Sequence, residues 1–204
     1  VNNSQSQKSI CCITDEFSAV NCLETIKQGF EIKLVICYET REDVIHLVKI
    51  VDKILPRMLK SEVELEFHKI SKFGKKSEDV LSKNSLITTI LIKSAKEKRI
   101  SHISLATSPL IFPSTYVETL QKRIFSAGII PHISLSGIDS EIIKNAKEIG
   151  MEKYVPKIEK FLKSNLTKSK SKLKNNEKTV KKIIKVKLGP NNVHTILDSL
   201  EIEH

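Results

Sequence analysis

Short apolar runs along the chain alternate with longer segments in which apolar residues recur every three or four positions. Short apolar runs are typical of buried strands, whereas the wider spacing is typical of helices with one buried face. The apolar runs predict five strands, at residues 9–13, 32–37, 63–67, 100–106 and 129–135. The spaced segments predict five helices, at residues 15–28, 42–60, 80–98, 116–127 and 139–149.

Glycine and proline support several of these boundaries. Gly29 and Gly150 follow predicted helices, where the chain often enters the left-handed region that glycine tolerates best. Pro56 is expected to end or kink the second helix, because a proline ring interrupts helical hydrogen bonding. Residues 63–67 alternate between apolar and polar, which favours a strand with one wetter face at a sheet edge.

Strands that alternate with helices predict βαβ units, in which the strands run parallel and helices cover both faces of the sheet. The sequence therefore predicts a three-layer α/β domain over residues 8–152, with a five-stranded, mostly parallel, Rossmann-like sheet. A ligand site in such a sheet lies beyond the carboxyl ends of the strands, near the point where the strand order reverses. The loops after Ile13, Cys37 and Ala106 therefore form the candidate site.

The pattern weakens after this domain. Residues 153–178 are interpreted as a basic helix and linker, and residues 179–204 as a C-terminal extension with a strand and a short helix. This extension is expected to lie outside the main fold or to be added to it. Its run at residues 180–188 has apolar positions on both faces, which favours pairing with another chain, for example in a homodimer.

The net charge of +10 is concentrated in one segment. Twelve lysines and two glutamates lie between residues 157 and 187, so the rest of the chain is neutral. Such a block is typical of a solvated tail, and an arm that binds phosphate groups is the alternative. No aromatic residue follows Phe161, so RNA binding here would be electrostatic and independent of base sequence. The lysines assigned to this predicted RNA contact are Lys168, Lys170, Lys172, Lys174, Lys181 and Lys182.

Hydropathy and cysteine usage narrow the class of protein further. No apolar run reaches the roughly 20 residues of a membrane-spanning helix, and the first residues are polar, so a cytoplasmic protein without a membrane segment is expected. The four cysteines, at positions 11, 12, 22 and 37, form no CxxC pair and have no histidine among them, so no metal site is predicted. Buried thiols are expected, and Cys37, at a strand end near the crevice, is the candidate for a catalytic sulfur carrier.

Two stretches resemble a known family. Residues 18–37, which include SAV and KQGFE, are similar to the first helix, helix exit and second strand of the PP-loop ATP pyrophosphatases. Residues 131–150, with the run GIDSEII, resemble a stretch of the tRNA 4-thiouridine synthetases, which also serve thiamine biosynthesis. The resemblance covers residues 8–152 and implies a PP-loop fold and an ATP-dependent tRNA sulfurtransferase activity.

The resemblance also implies that ATP, with Mg²⁺, binds at the loop before the first helix and at the loop after the fourth strand. The matching positions here are Thr14, Asp15, Ser18, Thr107 and Ser108. The family's glycine-rich phosphate loop is replaced by ITDEFS, which has no glycine and brings two carboxylates to the place of the phosphates. The family's late catalytic cysteine is missing, because no cysteine follows Cys37.

These departures lead to three hypotheses. The first is a divergent relative of the tRNA-thiolating synthetases that is impaired in ATP activation and associates with tRNA or another RNA through its lysine-rich segment. The second is an active, adenylating, ATP-dependent sulfurtransferase with altered loops. The third is a non-catalytic protein-interaction module that pairs through residues 179–204.

Overall fold

The structure is a computed structural model that describes residues 7–58, 60–74, 77–105, 114–133, 140–156 and 179–203. The strands in these ranges are Lys8–Ile13 (β1), Glu31–Tyr38 (β2), Glu62–Ile70 (β3), His102–Leu105 (β4), Ile130–Ile133 (β5) and Thr179–Lys187 (β6). The α-helices are Glu16–Lys27 (α1), Arg41–Ile54 (α2), Ser77–Lys98 (α3), Ser114–Ser126 (α4), Ser140–Glu148 (α5) and Asn192–Ser199 (α6). None of the helices in these ranges combines the length and apolar character needed to cross a bilayer.

The strands form one six-stranded sheet in the order β5-β4-β1-β2-β3-β6. Strands β1 to β5 run parallel, and β6 runs antiparallel to β3. The predicted α/β class and mostly parallel sheet are confirmed, with one more strand in the sheet than predicted. The first five strands have the order of a doubly wound fold, and the order reverses at β1.

Helices cover both faces of the sheet, as the three-layer prediction requires. α1, α2, α5 and α6 contribute to a core on one face that includes the fully buried Leu34 and Phe67. α3 and α4 contribute to a second core on the other face, around Val35 and Ile103. Neighbouring residues of a strand point to opposite faces, so the adjacent Leu34 and Val35 belong to different cores. Continuous apolar runs are what a sheet buried on both faces needs.

The chain leaves α1 and α5 through glycines, as predicted. Gly29 has a φ of 88° and Gly150 a φ of 67°, both in the left-handed region. The second helix is shorter than predicted. It ends at Ile54, and a short 3₁₀ turn at Leu55–Arg57 follows, because the ring of Pro56 cannot continue the hydrogen bonding of an α-helix.

β6 and α6 are part of the main fold. Ile184 and Val186 of β6 and Ile196 and Leu197 of α6 are buried in the core of the α1 and α2 face. The expectation that β3 lies at the sheet edge is wrong, because β6 covers it along its whole length. Burial in this core accounts for Ile184 and Val186, whereas Val180 and Ile183 of the same strand remain 69% and 44% exposed. A homodimer, and the division of the chain at residues 152 and 178, stay predictions.

Charge complementarity explains why β6 pairs with β3. In the antiparallel register, Glu62 lies opposite Lys187 and Glu64 lies opposite Lys185. Opposite charges on facing positions of two strands stabilise the pair, and like charges destabilise it. The alternating sequence of β3 predicted one face with polar side chains. Glu62 and Glu64 of that face lie opposite lysines of β6.

Candidate functional site

The predicted crevice lies at the carboxyl ends of β1 and β4, where the strand order reverses. β1 pairs with β2 on one side and β4 on the other. The chain then runs through Thr14 and Asp15 directly into α1, so these residues and Ser18 lie together at the N-terminus of this helix. Thr107 and Ser108, which were also predicted to contact a nucleotide, lie outside the described residues.

A capping box closes the N-terminus of α1. Asp15 is the N-cap residue, and its carboxylate accepts a hydrogen bond from the Ser18 amide at 2.8 Å. The Ser18 hydroxyl oxygen accepts hydrogen bonds from the amides of Thr14, at 2.9 Å, and Asp15, at 3.1 Å. The same hydroxyl donates to the Asp15 carbonyl oxygen at 2.9 Å. Three backbone amides are thus satisfied by neighbouring side chains.

These hydrogen bonds occupy backbone donors that an anion could otherwise use. A helix N-terminus binds anions because its first amides lack partners within the helix and carry partial positive charge. A glycine-rich loop adds further amides that converge on the phosphate. In this chain the amides of Thr14, Asp15 and Ser18 already donate to side chains, so a phosphate could use them only by displacing those hydrogen bonds.

Three carboxyl groups, those of Asp15, Glu16 and Asp43, lie at the starts of α1 and α2. Glu16 is 6% exposed and forms a 2.8 Å hydrogen bond with His46 Nε2. Burial raises the pKa of Asp15, although a hydrogen bond from a backbone amide offsets part of the shift. Burial also raises the pKa of Asp43, whose carboxylate accepts the Glu39 amide at 2.9 Å. Two like unit charges 4 Å apart repel by about 4 kcal/mol at an effective dielectric constant of about 20.

Lys83 lies near this edge of the sheet and is already paired with a carboxylate. Lys83 of α3 forms an ion pair with Glu39, with Nζ and Oε1 2.5 Å apart. The other carboxylate oxygen of Glu39 accepts the Phe73 amide at 3.0 Å. Glu39 therefore joins the end of β2 to α3 and to the loop after β3, and Lys83 serves this structural contact.

Cys37, the candidate sulfur carrier, lies inside β2 and is 1% exposed. Its sulfur atom is 3.8 Å from that of Cys12, and all four cysteines are free and buried. The hydrogen bond with Cys37, together with burial, raises the pKa of Cys12 well above its usual value. A reactive sulfur must be accessible and readily ionised, so burial does not favour catalysis by Cys37 and this role stays a prediction. Within the described ranges, no group of three or more His, Cys, Asp or Glu side chains is arranged to hold a metal ion.

The lysines predicted to contact RNA divide into two groups. Lys181 and Lys182 lie in β6 instead of a solvated tail, because this strand is fixed to β3. Lys181 pairs with Glu97 at 2.8 Å, and Lys182 pairs with Glu201 at 3.2 Å. The other four positions, residues 168, 170, 172 and 174, lie outside the described residues.

A buried polar cluster, which was not predicted from the sequence, lies on the α3 face of β3. Glu66 is 1% exposed, and its Oε1 atom is 2.7 Å from His68 Nε2 and 3.4 Å from Lys181 Nζ. Its Oε2 atom accepts hydrogen bonds from Ser94 Oγ at 2.9 Å and from Lys33 Nζ at 2.8 Å. Glutamate and histidine two positions apart in a strand lie on the same face, and this spacing was the available signal.

The chain is similar to known proteins in its structure but not detectably in its sequence. No protein-family model matches the chain, and no curated protein matches it. Among solved structures, the chain is similar to a 4-thiouridine synthetase in complex with RNA and with bound ATP. The TM-score is 0.55 and the sequence identity is 16%, and the match covers 78% of this chain and 43% of the synthetase chain. It is also similar to PH1313 from Pyrococcus horikoshii Ot3, at a TM-score of 0.45 and 16% identity, over 70% of this chain and 40% of that one.

The first of these similarities establishes the fold. The chain has the fold of the PP-loop ATP pyrophosphatases, as the sequence resemblance predicted. The match spans less than half the length of each of these two solved structures.

Proposed function

We propose that this chain is a divergent PP-loop domain of the tRNA-thiolating type that is impaired in ATP activation and associates with RNA through its lysine-rich segment. The fold supports the relationship, because a 4-thiouridine synthetase with the same fold has been solved with both RNA and ATP. The charge distribution supports the RNA contact, because residues 157–187 carry the whole net charge of +10.

The closed N-terminus of α1 carries the proposal that ATP activation is impaired. Adenylation requires the triphosphate to be held while pyrophosphate leaves, and backbone amides at a helix N-terminus are the groups that stabilise this charge. Here the side chains of Ser18 and Asp15 take up the amides of Thr14, Asp15 and Ser18 at the start of α1, and Glu16 adds a further buried carboxylate. The same crevice therefore repels a polyphosphate and offers it fewer donors.

An activity assay tests this part of the proposal. Pyrophosphate release is measured with ATP, Mg²⁺, unfractionated tRNA and a sulfide donor, and compared with a sample that lacks protein. We expect no release above that blank. Release that depends on tRNA, and that is lost in Ser18→Ala, would instead establish the active sulfurtransferase with altered loops.

Fluorescence anisotropy with labelled tRNA tests the RNA contact. One variant replaces four lysines of the basic segment with glutamine, at Lys168, Lys170, Lys172 and Lys174. The matched control replaces four exposed helical lysines elsewhere, at Lys49, Lys122, Lys144 and Lys147. Each phosphate contact contributes about 0.7 to 0.9 to the slope of log affinity against log salt concentration, so the first variant is expected to lower that slope by about 3. Equal slopes for the two variants, or no binding by the unmodified chain, would contradict the proposal.

A further inference from the structure

A cavity of about 390 Å³ lies between α3 and the strand pair formed by β3 and β6. Leu86 and Ile90 give it an apolar wall, and His68, Lys93 and Lys181 are among its polar residues. It is separate from the crevice at α1, because β2 lies between β1 and β3 in the sheet. A volume of this size accommodates a small organic molecule, and an apolar wall with a few convergent polar groups is typical of a ligand site.

The cluster at the base of the cavity orients the ring of His68 through its hydrogen bond with Glu66. Burial would raise the pKa of Glu66, but hydrogen bonds from His68, Lys33 and Ser94 outweigh that effect and hold its pKa well below the usual range. Glu66 is therefore ionised at neutral pH and acts only as an acceptor. Because an ionised carboxylate only accepts hydrogen bonds, the 2.7 Å contact makes His68 Nε2 the donor, and Nδ1 is the acceptor in the tautomer that carries this single ring proton.

This Nδ1 atom is buried and has no hydrogen-bond partner among the described residues. The His68 residue as a whole is 6% exposed. A buried polar atom without a partner costs about 1–3 kcal/mol, and native proteins contain few such atoms. A ligand hydroxyl that donates to Nδ1 would remove this cost.

Two lysines give the same cavity a positive charge. Lys181 Nζ is 2.8 Å from Glu97 and 3.4 Å from Glu66, and an ammonium group has three hydrogen-bond donors. These two contacts leave the third N–H of Lys181 for a ligand. Lys93 is an exposed residue of α3 that lines the cavity with it.

We propose that this cavity is a second ligand site, which binds a small organic anion that also carries a hydroxyl group. The anionic group contacts Lys93 and Lys181, and the hydroxyl donates to His68 Nδ1. Two lysines recognise a phosphate monoester and a carboxylate through the same chemistry, because an ammonium group is a compact point charge for either anion. The hydroxyl is recognised only through His68.

Isothermal titration with four probes, arranged as two matched pairs, tests the proposal. Glycerol 3-phosphate is compared with propyl phosphate, and glycerate is compared with propionate, so that each pair differs in its hydroxyl groups. Three variants are used. His68→Gln keeps a donor near the position of Nε2 and removes the Nδ1 acceptor, Lys93→Ala removes one cavity charge, and Lys96→Ala removes a charge from α3 outside this cavity. Circular dichroism confirms that each variant is folded.

The hydroxylated member of at least one pair is expected to bind about fivefold more tightly than its partner, which corresponds to one hydrogen bond. His68→Gln is expected to abolish that preference, and Lys93→Ala to weaken both members of the pair. Lys96→Ala is expected to change neither. Absence of binding by all four probes at millimolar concentration would overturn the proposal. So would a preference that survives in His68→Gln, or equal effects of the two lysine variants.

Discussion

Glu66→Gln isolates the energetic role of the buried carboxylate, because glutamine has nearly the same shape and lacks the charge. Glu66 accepts short hydrogen bonds from His68, Ser94 and Lys33, and it is 1% exposed. Its neighbour Glu64 lies on the same face of β3 and pairs with Lys33 at 3.3 Å, but its side chain is 32% exposed. Glu64→Gln is therefore a matched control that shares one lysine and differs in burial.

The expected loss follows from these contacts. Hydrogen bonds to a charged group contribute about 1.5–3 kcal/mol, and those between neutral groups about 1 kcal/mol. Lys33 and Lys181 keep Glu64 and Glu97 as alternative partners, which limits the cost of leaving them with a neutral amide. We expect Glu66→Gln to lower the free energy of unfolding by about 2 kcal/mol at pH 7. Glu64→Gln is expected to lower it by about 0.5 kcal/mol, as for other ion pairs open to solvent.

The pH dependence gives a second test of the same contact. The pKa of Glu66 is lower in the folded state than its unfolded value of about 4.3, so its stabilisation is complete above that value and is lost as the pH falls below it. One pH unit below the unfolded pKa, the difference between the unmodified chain and Glu66→Gln is expected to be about 1.4 kcal/mol smaller than at pH 7.

Urea unfolding followed by circular dichroism measures both quantities. A shift of the midpoint with an unchanged slope reports a change in stability. The reasoning is refuted if the two glutamine variants lose the same free energy at pH 7. It is refuted equally by a Glu66→Gln difference that stays constant as the pH falls through the carboxylate range.

Three further predictions concern the cap, a glycine and the C-terminal strand, and all are measured by urea or thermal unfolding. Asp15→Ala removes the N-cap and is expected to lower the free energy of unfolding by about 1 kcal/mol. Asp15→Asn keeps a hydrogen-bond acceptor and removes a carboxylate whose pKa is raised by burial, so it is expected to be at least as stable as the unmodified chain at pH 7. Equal losses in the two variants would contradict the capping role. Gly29→Ala is expected to lower the free energy of unfolding by about 1 kcal/mol, because the φ of Gly29 is 88° and alanine is strained there. Gly189 has no positive φ, so Gly189→Ala is the control. Equal effects of the two variants would count against backbone strain. A chain that ends at residue 178 is expected to melt without a cooperative transition, because it lacks the buried residues of β6 and α6. A cooperative melt near the original temperature would show that β6 and α6 are dispensable for folding.

Local signals in the sequence predicted the parts of the fold that depend on neighbouring residues. Gly29 marked the end of α1 because its conformation is one that other residues rarely adopt, and this constraint is visible in a single position. The apolar runs at β1 and β2 predicted buried strands because both of their faces are covered.

The placement of β6 depended on residues far away in the chain. Lysines that alternate with apolar residues fit a solvated tail as well as an edge strand. The deciding partners are Glu62 and Glu64, which lie more than a hundred residues earlier and face Lys187 and Lys185. No periodicity within residues 179–187 contains that information.

The two sites illustrate the same limit. Asp15 was predicted to begin the first helix, whereas the structure has it as the N-cap residue. The hydrogen bond that its carboxylate accepts from the Ser18 amide was missed because the residue at the third helical position of a capping box is commonly Glu or Gln. The cluster around Glu66 combines side chains from β2, β3, α3 and β6, so it exists only after the tertiary structure has formed.

Calorimetric titration of the unmodified chain with ATP and Mg²⁺ tests the central claim most directly. The claim is that a PP-loop fold is retained while the phosphate-binding amides of α1 are taken up by Asp15 and Ser18. The account predicts no saturable heat at millimolar ATP. A dissociation constant in the micromolar range would contradict it, because such affinity requires backbone amides that are free to bind phosphate.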